Sequence, residues 1–136
     1  MSRRLPIPLS RAWFDSGETQ RIAEALAGRV AGDGPICCRV EQRLASMLGG
    51  SRVLLTTSGS HALELALMTL GVGPGQEVIC PSFTFVSTAN AVLRVGARPV
   101  FADIEPVGFG LDPAEVEGKL TPRTTALDLE IGRAHV

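Results

Sequence analysis

Residues 56–103 read TTSGSHALELALMTLGVGPGQEVICPSFTFVSTANAVLRVGARPVFAD, and this stretch decides the fold class. Short apolar runs alternate in it with longer amphipathic runs, and clusters of glycine and proline separate them. Strands that alternate with helices at this spacing are typical of an α/β protein. The sequence therefore predicts a mainly parallel sheet flanked by helices.

The same patterns, followed outward, predict the remaining elements. Helices are expected where apolar residues recur at helical spacing, and strands where short apolar runs lie between turn residues. The predicted strands are Val53–Leu55, Val78–Cys80, Pro99–Asp103 and one that starts at Thr125–Leu127. The predicted helices are Asp15–Val30, one with Val40, Leu44, Met47 and Leu48 on its apolar face, Ser60–Leu70 with Leu63, Ala66, Leu67 and Leu70 buried, Thr84–Leu93, and one that begins at Asp112 and Pro113.

The turn before the third helix is a candidate anion site. Ser58, Gly59 and Ser60 precede the helix or form its first turn. Backbone N–H groups in such a turn have no intrahelical partner, and they point outward at the positive end of the helix dipole. A phosphate group fits this position, although N-capping alone would also explain the two serines.

Composition restricts the classes of partner and the compartment. The 136 residues carry a net charge of −1, so we expect neither a nucleic acid nor a membrane as a partner. No apolar run reaches the roughly 18 residues of a membrane-spanning helix, and the first residues do not resemble a signal peptide. Cys37, Cys38 and Cys80 lack metal or redox spacing, so we expect no metal. We interpret all three as reduced packing residues of a cytoplasmic protein.

Several motifs resemble those of the DegT/DnrJ/EryC1/StrS aminotransferases, a family of pyridoxal-phosphate-dependent enzymes that act on sugars. The carrying motifs are GDGP at 32–35, TSGSHAL at 57–63, GPGQEVICPSFTFVSTANAV at 73–92, GARPVFADIEP at 96–106 and LDPAEVEGKLTPRTTAL at 111–127. The resemblance implies the N-terminal part of a fold-type-I transferase. It is nearest to the dTDP-4-amino-4,6-dideoxygalactose transaminases, which aminate a nucleotide-linked 4-keto-6-deoxy sugar. Glutamate as amino donor, a cytoplasmic homodimer and a role in amino-sugar or surface polysaccharide biosynthesis are implied with it.

The resemblance also implies which residues hold the cofactor. Gly59, Ser60 and His61 match the positions that bind the phosphate of pyridoxal phosphate, and Phe85 matches the aromatic residue that lies against its pyridine ring. His61 departs from the small residue usual at its position, so it either adds a phosphate contact or is simply solvated at the helix end. Phe83 is the better candidate for a core residue.

Two acidic residues near the end of the third predicted strand are expected to have structural roles. Asp103 ends that strand near the carboxyl edge of the sheet, where ligands collect in open α/β folds. Glu105 is expected to be a surface turn residue beside Pro106. Neither is predicted to take part in the chemistry.

No catalytic residue is expected in this chain. Its single lysine, Lys119, lies in GKLTPR at a helix end and is predicted to be solvated. The family's Schiff-base lysine is expected downstream, so the chain is predicted to be a truncated, inactive fragment. We expect a helical segment over 1–50, the start of the cofactor-binding domain over 51–128 and a non-native tail over 129–136, where IGRAHV resembles a translated sequencing adapter.

Two alternatives to the sugar aminotransferase remain open. One is a catalytically dead relative that binds a nucleotide sugar or acts as a regulatory module. The other is a different fold-type-I pyridoxal phosphate enzyme, against which the PSFTFVSTAN motif speaks. The presence or absence of a lysine in the later family motif would separate the first alternative from an active enzyme.

Overall fold

A computed structural model describes residues 12, 14, 17–28 and 30–129. The predicted helix start at Asp15 and the residues Glu130–Val136 of the predicted tail lie outside the described residues. The chain divides into two compact units, one up to Leu55 and one from Thr56 onward.

Five helices and three strands are present in the described ranges. The first unit contains two helices, and the second contains an α/β arrangement. In chain order the elements are α1 (Glu18–Ala27), α2 (Pro35–Met47), α3 (Gly59–Thr69), β1 (Glu77–Pro81), α4 (Val86–Arg94), β2 (Arg98–Ala102), α5 (Pro113–Lys119) and β3 (Thr124–Leu127).

The three strands form one parallel sheet with the order β2-β1-β3. Strand β1 is central, and all five of its residues are buried. Its Ile79 lies opposite Val100 of β2 and Leu127 of β3. The predicted α/β class with a parallel sheet and flanking helices is therefore confirmed, because a strand buried on both faces and paired on both edges is typical of that class.

The main core lies between β1 and the helices α3 and α4. Alternate residues of β1 point to one face of the sheet, which places Val78 and Cys80 on the side of these helices. Burial raises the pKa of the Cys80 thiol to about 12, with a smaller contribution from the Asp128 charge. This thiol is therefore a neutral packing group. The buried cluster consists of Leu67, Val72, Val78, Cys80, Ala91, Val92 and Ala97.

Both helices of this core end in the same way. Gly71 and Gly96 follow α3 and α4 with φ of 73° and 82°, a left-handed conformation that favours glycine. The next residue in each case, Val72 or Ala97, donates its N–H to a carbonyl in the last helical turn and enters the core. These glycines turn the chain back towards the amino ends of β1 and β2.

A buried carboxylate joins the three strands at their amino ends. Glu77 is only 1% exposed, yet its Oε1 lies 2.9 Å from Arg98 Nη2 and 2.8 Å from Arg123 Nη2. Its Oε2 accepts a hydrogen bond from the Thr121 hydroxyl at 2.7 Å. The Thr121 bond, followed by Arg98 and Arg123, lowers the pKa of Glu77 although burial alone would raise it. The carboxylate therefore stays charged and connects β1 to β2 and to the turn before β3.

The predicted strand Val53–Leu55 is wrong. This segment pairs with no described strand, and Leu54 is 68% exposed. The Leu55 N–H donates instead to the Glu41 carboxylate at 2.9 Å. Apolar content predicted burial here, but a strand also needs a neighbouring backbone, and the described residues of this unit supply none.

Several predicted burials are also wrong. The α1 and α2 helices form, but neither has a buried residue, because the described part of the first unit offers no apolar surface that covers them. On α3, Leu67 is buried and Leu63 is partly buried, whereas the predicted core residues Ala66 and Leu70 are exposed. Cys38 is also exposed rather than packed. Among the described helices, none is long and apolar enough to cross a bilayer.

The core position of Leu67 gives a stability test. Replacing Leu67 with alanine should lower the free energy of unfolding by about 2–5 kcal/mol, because it leaves a cavity against β1. Met68, the next residue, is 65% exposed and provides the matched control. Met68→Ala should change the free energy by less than about 0.5 kcal/mol in urea denaturation. Equal effects of the two substitutions on the free energy of unfolding would contradict the assignment of Leu67 to the buried core.

The Glu77 cluster gives a pH-dependence test. Because the folded-state pKa lies below the ordinary value of 4.5, the carboxylate stabilises the fold above that value. This stabilisation should disappear as the pH falls through the lowered pKa. Melting temperatures between pH 6 and pH 3 should show a wild-type advantage over Glu77→Gln that shrinks with acid. Glu115→Gln, which removes an exposed pair with Lys119, should leave the profile unchanged. A constant difference between wild type and Glu77→Gln would contradict the assignment.

Candidate functional site

The candidate site lies at the carboxyl edge of the sheet. Helix α3 leads through a short turn into the amino end of β1, and α4 leads in the same way into β2. The two helices pack against each other, so the N-terminus of each is directed to the opposite end, where the strands finish. Ligands of open α/β sheets bind at this edge.

The N-terminus of α3 has unused hydrogen-bond donors. Ser58 is the N-cap, and its Oγ accepts the His61 N–H at 3.3 Å, while its carbonyl accepts the Ala62 N–H at 3.1 Å. In the described part of the chain, no partner is present for the N–H groups of Gly59 and Ser60 or for the Ser60 hydroxyl. Three donors without a described partner therefore lie in the first turn of α3, at the positive end of a helix dipole, and such an end favours a phosphate.

Gly59 leaves space next to these donors. A Cβ added at this position would meet nothing within 4 Å, and the backbone does not adopt a left-handed conformation there. A side chain at this position would therefore occupy the volume in front of the turn without straining the fold. The space and the donors together fit the phosphate of pyridoxal phosphate.

His61 is exposed and turned towards its own chain. Its Nδ1 shares a hydrogen bond of 2.5 Å with the Thr57 hydroxyl. This bond fixes the ring beside the turn and leaves Nε2 at the surface. The arrangement agrees with a residue solvated at the helix end. It also leaves the Nε2 atom free of the Thr57 bond, so that Nε2 is the ring atom available for a phosphate contact.

Phe85 lies at the start of α4 and not within its core. It occupies the N-cap position, its carbonyl accepts the Thr88 N–H at 3.0 Å, and its ring is 58% exposed. Within the described residues, no hydrogen bond or ring contact joins Phe85 to the α3 turn. The α3 turn and the Phe85 ring, which are the two predicted parts of the site, therefore lie at the same edge of the sheet but on different helices.

The prediction that Phe83 is a core residue is wrong. Its ring is largely exposed and contacts the ring of Phe109, with 6.0 Å between the centroids. Phe83 lies in the loop between β1 and α4, where none of the described elements covers it. Its apolar character predicted burial, but its position after the last strand residue decides its exposure.

Asp103 and Glu105 have the structural roles that the sequence predicts. Asp103 Oδ1 accepts hydrogen bonds from the Ser82 hydroxyl at 3.1 Å and from the Ile104 N–H at 3.0 Å. Glu105 accepts the N–H groups of Val107 and Gly108 and so closes a surface turn. The sequence did not indicate the partners of these carboxylates, since the Ser82 partner of Asp103 lies 21 residues earlier in the chain.

Lys119 lies away from this edge. Its Nζ forms an ion pair with Glu115 one turn earlier, at 3.4 Å. Helix α5 ends at Lys119, just before the amino end of β3, so the lysine belongs to the edge of the sheet opposite the candidate site. Within the described ranges, no group of three or more His, Cys, Asp or Glu side chains could hold a metal ion.

Comparison with known proteins gives matches across most of the chain. A family model described as the DegT/DnrJ/EryC1/StrS aminotransferase family matches residues 14–128. A UDP-2-acetamido-2-deoxy-3-oxo-D-glucuronate aminotransferase of Pseudomonas aeruginosa is 46% identical over 94 residues, which are 69% of this chain and 26% of that protein. A 3-amino-5-hydroxybenzoate synthase of Amycolatopsis mediterranei is 40% identical over 122 residues, with 85% of this chain and 31% of that protein covered.

A solved structure shares the fold. It is a Streptococcus pneumoniae protein assigned as a sugar aminotransferase, in its pyridoxal phosphate (PLP) form, with a TM-score of 0.82 and 31% identity. The match covers 89% of this chain and 31% of that one. The chain therefore spans between a quarter and a third of the length of these relatives.

Proposed function

The chain belongs to the DegT/DnrJ/EryC1/StrS aminotransferase family, and we propose that it forms the phosphate-binding part of a PLP-dependent sugar aminotransferase. The observation that carries the proposal is the α3 turn, where the N–H groups of Gly59 and Ser60 lack partners beside open space. The pneumococcal structure in its PLP form, which shares this part of the fold, supports the choice of cofactor.

Three residues of the turn would hold the phosphate. The Gly59 and Ser60 N–H groups and the Ser60 hydroxyl donate to its oxygens, and the dipole of α3 favours its negative charge. Because these donors are already oriented by the Ser58 cap, binding requires little rearrangement of the backbone. His61 contributes through Nε2 when its Thr57 bond holds the ring beside the phosphate.

Phe85 would provide a flat apolar surface for the pyridine ring. Its exposed ring at the N-terminus of α4 keeps water from one face of the ring and limits its rotation. When bound, pyridoxal phosphate supplies the electron sink for moving an amino group between carbon atoms. This chain's contribution is to fix the plane and the phosphate of that group.

The chain lacks a lysine at this edge. Amino transfer needs a lysine that both holds the cofactor and moves a proton between two carbons. Lys119 belongs to the opposite edge and forms an ion pair there, so we assign the reactive lysine to a part of the longer protein outside these 136 residues. We expect the 136 residues alone to be inactive and the whole protein to act as a cytoplasmic homodimer.

The proposed substrate is a nucleotide-linked 4-keto-6-deoxy sugar, with L-glutamate as amino donor. The P. aeruginosa relative, named for a UDP-linked 3-oxo sugar, supports a nucleotide-linked keto sugar as the class. The A. mediterranei relative, named for an aminobenzoate, defines the competing class. The 4-keto position rests on the resemblance of GDG at residues 32–34, followed by PSFTFVSTANA at residues 81–91, to the 4-keto-sugar transaminases.

The substrate is tested with protein of the relatives' length, prepared with this chain as its N-terminal part. We expect it to convert a dTDP-linked 4-keto-6-deoxy sugar and glutamate into an amino sugar and 2-oxoglutarate, detected by mass spectrometry. Turnover of only the UDP-linked 3-oxo sugar would contradict the proposed 4-keto substrate and indicate a 3-keto sugar instead. Turnover of a cyclic non-sugar ketone alone would contradict the sugar class.

The phosphate position is tested on this chain with pyridoxine 5′-phosphate. This probe has no aldehyde, so it cannot react with Lys119 or the N-terminus. Calorimetry should show binding of pyridoxine 5′-phosphate but much weaker binding of pyridoxine, and Gly59→Val should reduce the affinity by about tenfold or more. Gly118→Val, also at an open glycine but at the other edge of the sheet, should not. Equal affinity for the phosphorylated and unphosphorylated probes would contradict the site.

The ring position is tested in the same assay. Phe85→Ala should weaken binding of pyridoxine 5′-phosphate by about three- to tenfold, since it removes one aromatic contact. Phe101→Ala, which removes a half-exposed ring from β2, is the matched control and should leave the affinity unchanged. Equal losses in the two variants would indicate a general effect on the fold and not a ring contact.

A further inference from the structure

The loop that follows β2 contacts the segment that carries Phe85 at two points. The segment is 82–85, between β1 and α4, and the loop is 103–112, between β2 and α5. Asp103 bonds to Ser82, and the ring of Phe109 contacts the ring of Phe83. These contacts involve residues that sequence analysis did not place in the site.

Segment 82–85 is held at both ends. The Ser82 N–H donates to the Ala102 carbonyl at 2.8 Å, and its hydroxyl donates to Asp103 Oδ1 at 3.1 Å. At the other end, the Phe85 carbonyl accepts the N–H of buried Thr88. The position of the Phe85 ring therefore depends on the helix α4 on one side and on Asp103 on the other.

Loop 103–112 is closed by its own hydrogen bonds. The Asp112 N–H donates to the Asp103 carbonyl at 3.0 Å, and the Glu105 N–H donates to the Gly110 carbonyl at 2.9 Å. The Glu105 carboxylate also accepts two backbone N–H groups within the turn. A loop with this many internal bonds is a rigid support for whatever contacts it.

Phe109 adds backbone strain to this loop. Its φ of 60° is left-handed, which is uncommon for a bulky residue and costs energy unless the surroundings hold it. The contact with Phe83 and the N–H bond from Phe109 to the Glu105 carbonyl keep it in place. Strained residues that persist in this way concentrate at functional sites.

We propose that loop 103–112 holds Phe85 in its cofactor-facing position, with Asp103 as the positioning residue that acts through Ser82. The proposal rests on the proposed function, because the purpose of this support is to keep an exposed ring ready for a planar ligand. Asp103 itself does not touch the ligand. It orders the segment before binding, so that less conformational freedom is lost when the ring is covered.

The test combines a ligand-free signal with a binding measurement. 4-Fluorophenylalanine placed at position 85 reports the order of that ring by ¹⁹F NMR without any ligand. Asp103→Ala and Ser82→Ala should each narrow the ¹⁹F line and shift it towards the position of an unfolded chain. Each should also weaken pyridoxine 5′-phosphate binding, by no more than the roughly three- to tenfold loss expected for Phe85→Ala, because the effect acts through that ring. Asp103→Asn keeps an acceptor oxygen for the Ser82 hydroxyl and should restore both signals.

A double-substitution cycle and a control complete the test. Since Asp103 and Ser82 act through one bond, the double variant should be no more than about twofold worse than either single variant. Glu115→Ala, an exposed carboxylate on the following helix, should change neither signal. Ser82→Ala removes only a hydroxyl, so it remains informative if Asp103→Ala does not fold.

The outcomes separate the two proposals. An unchanged ¹⁹F signal in Asp103→Ala and Ser82→Ala, or additive losses in the double variant, would overturn the positioning role. Failure of the wild-type chain to bind pyridoxine 5′-phosphate would overturn the proposed function, while the ligand-free ¹⁹F signal would still decide whether loop 103–112 orders Phe85.

Discussion

Strand β1 imposes the constraint on which the second unit depends. It is the only one of the three described strands that pairs on both edges, and all five of its residues are buried. Its two neighbours run parallel to it, so each connection must cross from one end of the sheet to the other. Helix α4 makes one of these crossings, and loop 103–112 with α5 makes the other. All carboxyl ends therefore meet at one edge, and that edge receives the candidate site.

The two edges of the sheet have different chemistry. At the amino edge, the Glu77 carboxylate forms ion pairs with Arg98 and Arg123 and accepts a hydrogen bond from Thr121. Its charge therefore has partners within the fold. At the carboxyl edge, the N–H groups of Gly59 and Ser60 have no partner in the described structure, and the Phe85 ring is exposed. The asymmetry is what a binding site needs, because a ligand can supply the missing partners.

Sequence analysis predicted the features that depend on local signals. Asp112 followed by Pro113 identified the start of α5, and the glycines after α3 and α4 identified their ends. The α3 turn was also predicted, because Ser-Gly-Ser before an apolar helix is itself a local pattern. The Glu77 partners lie 21 and 44 residues away in the chain for the Arg98 and Thr121 bonds, and no periodicity indicates such a distant pairing. The exposure of Leu54 and Phe83 was missed for the same reason: their apolar side chains predict burial, while their neighbours in space decide it.

Binding and catalysis are separable in this architecture. The donors of the α3 turn and the Phe85 ring come from elements next to one central strand, and we propose that they hold a phosphorylated ring. The one lysine forms an ion pair at the other edge, and no local rearrangement of α5 would carry it across the sheet. The proposed support of Phe85 by loop 103–112 belongs to the binding half of this division, since Asp103 contacts Ser82 and not the open space at Gly59. Affinity for a non-reactive cofactor analogue and the order of Phe85 therefore measure what this chain contributes, independently of whether an amino group is ever transferred.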